Sequence, residues 1–412
     1  MNKAVIMTGF HFPPSALSSG HLRFLAFAKY LPECGWDPVV LSATTGAYEL
    51  IDPASVRSIP EGCHVYRAFA LDAKRHLAIM GKYPPILALP DRWASWWAAA
   101  VWNGLRLIKR HRAQAIWSTF PIMTSHCVAY TLHRLTGIPW IADFRDPVAS
   151  STVGKSPMAV RSQARWERRV LSCAARSVFT TRGAMQRCAE HYPEACRAGR
   201  LAVIANGYDD EAFADLGGPP PRTGRPLVLL HSGLLYPEGR SPVPFFAALA
   251  RLRDAGRVTP GMLRVVLRAS GTEAAYAREI QRFGLGGMVT LAPPIGNREA
   301  LLEQASADGL LLFQGSRFDL QIPAKVYEYL RIGQPIFALV GPDGDTATLL
   351  RESGGATLVA ADDVDAIATG LSGFLRVLTE GTAPSPRPAA IAQYSRRAGA
   401  RLLASLLEQV CT

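Results

Sequence analysis

The 412-residue chain lacks any apolar run of roughly 18 residues, the length that a membrane-spanning helix needs. It is poor in cysteine: Cys34, Cys63, Cys127, Cys173, Cys188, Cys196 and Cys411 are scattered, odd in number and never spaced C-x-x-C. That excludes a disulfide framework and a cysteine-built zinc site, and it predicts reduced thiols in a cytoplasmic protein. Acidic residues are also short, at 33 against 45 Lys plus Arg, a net charge of +12. The deficit is concentrated in residues 101–200, where 16 basic residues face 5 acidic ones. A basic face of this kind suits an anionic membrane surface or nucleic acid. An Arg bias of genomic origin accounts for it equally well, since only 7 of the 45 are Lys.

What is present is the composition of a folded enzyme, 49% hydrophobic and 19% charged, with length for two or three domains. MNKAVIMTGF runs into Phe12-Pro13-Pro14 with no small-residue cleavage pattern, so it reads as a first strand and not a signal peptide. Short apolar runs then alternate with helical patterns. Strands are expected at 4–8, 38–42, 115–118, 140–143, 177–180 and 202–204, and helices at 20–33, 93–111, 123–136, 157–174 and 182–191. Residues 217–226 (GGPPPRTGRP) read as a linker. A second series follows, with strands at 227–231, 264–268, 289–291, 309–313 and 335–339. Its helices are expected at 242–255, 273–283, 298–305, 324–332 and 346–352, and a last amphipathic helix near 394–410. This β-α rhythm predicts an α/β protein with two Rossmann-like, doubly wound domains facing across a cleft. The expected divisions are 1–216, 217–390 and a C-terminal helix, 391–412, packing back on the first domain. Ligands of such sheets bind at the carboxyl ends of the strands.

Five segments carry candidate chemistry. TGFHFPPSALSSGHLR places Ser19 and Gly20 before a helix, where backbone N–H groups can meet a phosphate, although a plain helix cap has the same look. IADFRDP puts Asp143, Arg145 and Asp146 at a strand mouth, as an ion-pair network or a substrate site. His126 lies in a helical pattern and reads locally as a core or rim side chain. LVLLHSGLLYPEGRSP brings Gly233 and then Arg240 to a helix start, a placement suited to a diphosphate. In FDLQIPAKVYEYLRIGQPI, Lys325 and Glu328 share a helix face, and locally they read as a surface pair. Asp343–Thr346 (DGDT) imitates a metal-binding Asp-x-Asp but reads as a helix N-cap. Trp93, Trp96, Trp97 and Trp102, beside the basic stretch 106–112, fit core packing or an interfacial membrane helix.

Taken in order, these segments resemble the GT-B glycosyltransferases, specifically the retaining family 4 and its bacterial branch for surface polysaccharides and lipid-linked sugars. HFPPSALSSGHLR is similar to the family's N-terminal Gly loop, TGIPWIADFRDP to its central strand and VIANGYDDEAF to its interdomain hinge. HSGLLYPEGRSP is similar to its phosphate loop, and IPAKVYEYLRIGQPI to its donor-ribose helix. The resemblance implies a nucleoside diphosphate sugar donor, a glycan or lipid-linked acceptor, no metal and no cofactor, and retention of configuration. It assigns Ser19, Gly20, Gly233, Arg240 and Lys325 to the donor's phosphates or sugar, and Glu328 to its ribose hydroxyls. Pro293 falls where the base is read, and Ile322 where backbone amides hold the sugar. Asp143, Arg145, Arg240 and Lys325 form the implied catalytic set, with His126, Asp143 and Asp146 on the acceptor side. The sequence departs from the pattern at Leu320, where the first of two paired Glu residues is expected: either Asp319 takes that donor-binding role through a local shift, or the backbone amides of Leu320–Ile322 hold the sugar alone. It departs again at Leu234, in place of an Arg. Alternatives are a nucleotide-sugar 2-epimerase of the same fold and a catalytically silent binding subunit. Nucleic acid is not an expected partner, because no recognition motif accompanies the charge. Peripheral attachment to the inner face of a membrane fits the basic first domain.

Overall fold

A computed structural model describes residues 2–16, 20–148, 156–196, 199–214, 216 and 225–412. The chain forms two compact units, Met1–Asn206 with Arg396–Thr412, and Gly207–Ser395.

The first unit runs β1 (Lys3–Thr8), α1 (His21–Tyr30), β2 (Trp36–Ala43), β3 (His64–Ala68), α2 (Ala73–His76), α3 (Trp96–His111), β4 (Ala115–Thr119), α4 (Met123–Thr136), β5 (Trp140–Phe144), α5 (Pro157–Cys173), β6 (Arg176–Phe179), α6 (Arg182–His191) and β7 (Leu201–Val203). Its sheet is parallel throughout, in the order β3-β2-β1-β4-β5-β6-β7. The central strands are continuous apolar runs because helices cover both faces. Val5, Ile6 and Met7 of β1 and Ile141 and Ala142 of β5 have no exposed surface. Polar caps set the helix starts: Ser156 accepts from the Ala159 N–H, and Thr181 from the Ala184 N–H.

The second unit runs β8 (Leu227–Ser232), α7 (Val243–Asp254), β9 (Leu263–Arg268), α8 (Glu273–Arg282), β10 (Val289–Ala292), α9 (Asn297–Ser306), β11 (Gly309–Gln314), α10 (Ala324–Ile332), β12 (Ile336–Val340), α11 (Asp345–Ser353), β13 (Ala356–Ala360), α12 (Val364–Glu380) and α13 (Pro388–Ala392). Its parallel sheet has the order β10-β9-β8-β11-β12-β13. The strand order therefore reverses between β1 and β4 in one unit and between β8 and β11 in the other, the switch points where such sheets take ligands. The closing helix, α14 (Arg396–Cys411), belongs to the first unit and packs Ala400, Leu403 and Leu407 into the core formed by Phe24, Phe27 and Trp117.

Two details differ from expectation. The division falls at Asn206–Gly207, ahead of the Gly/Pro-rich stretch, whose residues 217–224 lie outside the described ones. The reason is local: Arg298 donates to the carbonyls of Ala212 and Ala214, and the Arg331 guanidinium lies over the Tyr208 and Phe213 rings, tying 207–214 to the second unit. DGDT starts α11, but Gly344 occupies the N-cap position without a side-chain bond, leaving Asp345 in the first turn.

Candidate active site

At the mouth of β5, Asp143 is fully buried and its two oxygens meet the fork of Arg23, at 2.9 Å from Nη2 and 3.1 Å from Nε. Thr119 donates a third bond to the same carboxylate at 3.1 Å. Arg23 in turn donates to the carbonyls of Ile204 (2.9 Å) and Ala205 (2.8 Å). Asp143 was expected to be catalytic and to face the acceptor. Instead its carboxylate is closed off in a clamp that fixes α1, β4 and the chain end after β7. The sequence signal that was missed is Arg23, an Arg pointing inward from a helix of Phe24, Leu25 and Phe27.

His126, also expected on the acceptor side, is likewise a core residue. Trp140 Nε1–H donates to Ser118 Oγ, and Ser118 Oγ–H to His126 Nδ1, both at 2.7 Å. Burial holds the imidazole neutral, its pKa pushed down to about 3. A fully buried neutral ring between Phe120 and Phe144 does not reach a substrate.

Arg145 and Asp146 do stand at the strand mouth. Arg145 is paired to Asp146 through Nε (3.0 Å) and Nη2 (2.8 Å), and both keep partial exposure. The guanidinium lies directly on Gly20: a Cβ there would sit 1.2 Å from Nη1. Gly20 has helical φ, so it is this close approach that requires a glycine. His11, absent from the sequence expectations, completes the cluster. Its pKa falls to about 4 through burial first and then the charge of Arg145, and Nδ1 is 2.9 Å from Ser15 Oγ. Ser19 lies outside the described residues.

In the second unit, the C-terminal end of β8 and the N-terminus of α10 build a cationic cluster. His231 is buried, and its Nδ1 lies 2.9 Å from the Leu311 carbonyl, so the N–H is placed there and Nε2 is left as an acceptor. Lys325 Nζ stands 2.9 Å from that Nε2, and the Gly233 carbonyl stands 3.1 Å from it. Burial first, and then the positive charge of Lys325, hold His231 well below the usual imidazole pKa. The Lys325 ammonium is pushed down to about 7, by burial and then by Arg240, with Glu328 opposing. Gly233, at φ +107°, leaves room for the ammonium, since a Cβ would stand 3.0 Å from Nζ. Tyr329 reaches back to accept the Ser232 N–H at 3.0 Å.

Arg240 is held by Gln314, whose Oε1 accepts from Nε at 2.7 Å, and by the Phe318 ring, 4.6 Å from the guanidinium carbon. Gln314 is locked by donating to the Phe318 and Gln321 carbonyls. Arg240, Gln314 and Ser241 also line a cavity of about 240 Å³ floored by Phe313 and Leu339. Two cations, a neutral imidazole and one half-buried carboxylate, Glu328, thus converge beside the start of α10, where helix N–H groups carry partial positive charge. Such a set is chemically suited to a multiply charged anion.

The remaining expected residues are more peripheral. Pro293 is exposed after β10, and its carbonyl accepts from Arg268 at 2.7 Å. Ile322 is half-buried just before α10. Asp319 turns its carboxylate to the loop after β12, where a Cβ on Gly341 would lie 2.1 Å from Oδ1 and one on Gly344 2.6 Å away. Burial, then Asp343 and Asp345, raise its pKa. His231 and Gln314 went unrecognised in the sequence, because each reads there as one polar residue closing an apolar strand.

Residues 20–207 match the sequence profile of the glycosyl transferase 4-like domain. The chain has the fold of the GT-B glycosyltransferases. Sucrose-phosphate synthase from Thermosynechococcus elongatus superposes at TM-score 0.62 and 14% identity, over 100% of this chain and 96% of that one. HepE of Anabaena, in complex with UDP and glucose, gives 0.62 and 14% over 99% and 100%. The lipopolysaccharide outer core galactosyltransferase WaaB gives 0.61 and 13% over 99% and 100%. No curated protein matches the sequence. At such identities the structural likeness speaks for the fold alone, and the site is argued from this chain's own residues.

Proposed function

We propose that this protein is a glycosyltransferase that moves a sugar from a nucleoside diphosphate sugar to a glycan or lipid-linked acceptor, with retention of configuration and without a metal. The observation that carries the reading is the pairing of Lys325 with neutral His231 beside Arg240, a preformed excess of positive charge at a helix N-terminus. The donor's diphosphate brings negative charge to these cations. As the glycosidic bond to the donor breaks, negative charge grows on the leaving phosphate oxygen, and Lys325 and Arg240 hold it without reorganising. Glu328, one turn along from Lys325, accepts the ribose hydroxyls. Arg145 and Asp146, with Gly20 beneath them, serve the acceptor side, while Asp143 and His126 support the sheet behind. HepE, whose structure holds UDP and glucose, and WaaB, an outer core galactosyltransferase, make UDP-sugars and lipid-borne glycans the first substrates to try. Attachment to an anionic membrane surface belongs to the same reading.

The test is a panel of nucleotide-sugars offered with glycan and lipid-linked acceptors, reading nucleoside diphosphate release. Turnover that survives intact in both Arg240→Ala and Lys325→Ala would sink the donor site. A second reading, a silent donor-binding subunit, is favoured by Leu320 and by the Asp319 carboxylate lying against Gly341 and Gly344. Donor binding by calorimetry, with no release for any acceptor, would select it.

A further inference from the structure

The segment between β3 and α3 makes an excursion that its own base holds shut. The Ala73 N–H donates to the Arg92 carbonyl at 2.8 Å. Ser95 Oγ both accepts from the Leu71 N–H and donates to the Leu71 carbonyl, at 2.9 Å each. Buried Asp72 caps α2 through the Lys74 N–H and lies 3.5 Å from Arg92 Nε. At the far end, Ile79 and Lys82 exchange two backbone hydrogen bonds, 2.8 and 3.0 Å, around Met80 and Gly81. Both central residues have positive φ, +50° and +76°, the geometry of a tight two-residue hairpin turn.

This well-bonded device ends in apolar side chains that remain exposed among the described residues. Ile79 is 80% exposed, Met80 97% and Ile86 71%. Scattered exposed apolar residues are ordinary, but three aliphatic side chains on a hydrogen-bonded projection are not. The charge along the segment itself is mainly positive. Residues 73–92 contain Lys74, Arg75, Lys82 and Arg92, and the only acid, Asp91, is buried and accepts two bonds from Thr124. Lys82 adjoins the turn itself, where its stem can follow the apolar tip while its ammonium stays at headgroup level.

We infer that residues 77–87 form a membrane-inserting tip, with Ile79, Met80 and Ile86 entering the acyl boundary of an anionic bilayer and Lys74 and Lys82 meeting its lipid headgroups. This rests on the membrane attachment proposed above and places it on this hairpin. The exposed flank of α3, with Trp102 under Arg106, is the competing place. The charge complement favours a bilayer as occupant: Lys74, Arg75 and Lys82 flank the aliphatic points on a narrow projection, while Glu49 is taken up by Arg92 at its base. Aliphatic insertion and cation–headgroup contact are the two signals that together give stable anchoring.

The experiment is flotation of the full chain with vesicles of phosphatidylcholine alone and with about a third phosphatidylglycerol. Wild type floats with the anionic vesicles, and Ile79→Asp/Met80→Asp lowers the partition coefficient at least about tenfold with unchanged thermal melting. Lys74→Glu/Lys82→Glu weakens binding and flattens its salt dependence, and Trp102→Asp leaves it near wild type. A Met80→Trp reporter shifts its emission to the blue and is quenched by brominated acyl chains. If wild type floats and the tip variant floats equally, the hairpin is wrong and membrane attachment stands. If wild type does not float, membrane attachment itself fails. A dimer in sedimentation that the tip variant dissolves would replace the bilayer by a second copy of the chain.

Discussion

The two units each bring Arg and a carboxylate together at the carboxyl end of their sheets, and they do opposite things with them. In the first unit, Arg23 and Asp143 saturate each other and the chain around them: two bonds between themselves, one from Thr119, and two from Arg23 to carbonyls. In the second, Arg240 and Lys325 crowd one another, and Glu328 is the carboxylate that opposes the Lys325 charge. A buried pair in which both carboxylate oxygens are hydrogen-bonded is architecture, because access by a substrate would cost its bonds. A cluster with surplus charge is destabilising until a ligand arrives, which is the property of a binding site.

The sharpest way to break this contrast is Asp143→Ala. It strands the Arg23 guanidinium in the core and should lower unfolding free energy by about 3–5 kcal/mol, read by denaturant titration. Were stability unchanged and turnover alone lost, Asp143 would be a substrate group after all. Next in size, Arg240→Ala should cost about 100-fold in kcat with a near-normal melting temperature, because it removes a donor aimed at developing charge.

The third prediction uses pH. With the Lys325 pKa near 7 in the free protein, a bound diphosphate raises it again, so binding above pH 7 takes up a proton. Donor affinity should be flat below pH 7 and fall above it, by at most about tenfold per pH unit. Calorimetry at pH 8 in two buffers of different ionisation enthalpy should give different heats, and identical heats in Lys325→Met. Stability runs the other way: the folded pKa lies below the unfolded one, so the penalty of charging Lys325 is full below about pH 7 and eases as pH rises. The smallest effect is expected for His126→Phe, about 1–2 kcal/mol from the stranded Ser118 hydroxyl, with kinetics preserved. A pH-rate profile altered by that substitution would return His126 to the acceptor side.

Most of the fold is legible in the sequence. The strands of both sheet centres are buried on two faces, so β1, β5, β8, β11 and β12 stand out as apolar runs of the expected length. The elements that escape are at the rims. β3 (HVYRA) and β13 (ATLVA) are half-exposed edge strands with mixed polarity, and α12 carries Gly370 and Gly373 inside its helical pattern. Gly370 is there because a Cβ would sit 2.5 Å from Val359, a packing reason invisible along the chain. The site is legible by type and less so by role. Lys325 and Arg240 are marked by Gly turns and helix starts, whereas His231 and Gln314 become functional partners only when β8 and β11 pair across 80 residues.

The sequence alone therefore determines the two β-α series, the excess of positive charge and the helix start at Pro323–Ala324, because these follow from periodicity, composition and local backbone chemistry. The tertiary structure decides which charges are spent on each other and which remain for a ligand. DFRDP shows three neighbouring charges with nothing to rank them, and it takes Arg23, 120 residues away, to fill Asp143 and leave Arg145 and Asp146 to each other, partly exposed at the strand mouth. Charge neutralisation is a property of distance in space, and the chain order does not contain it.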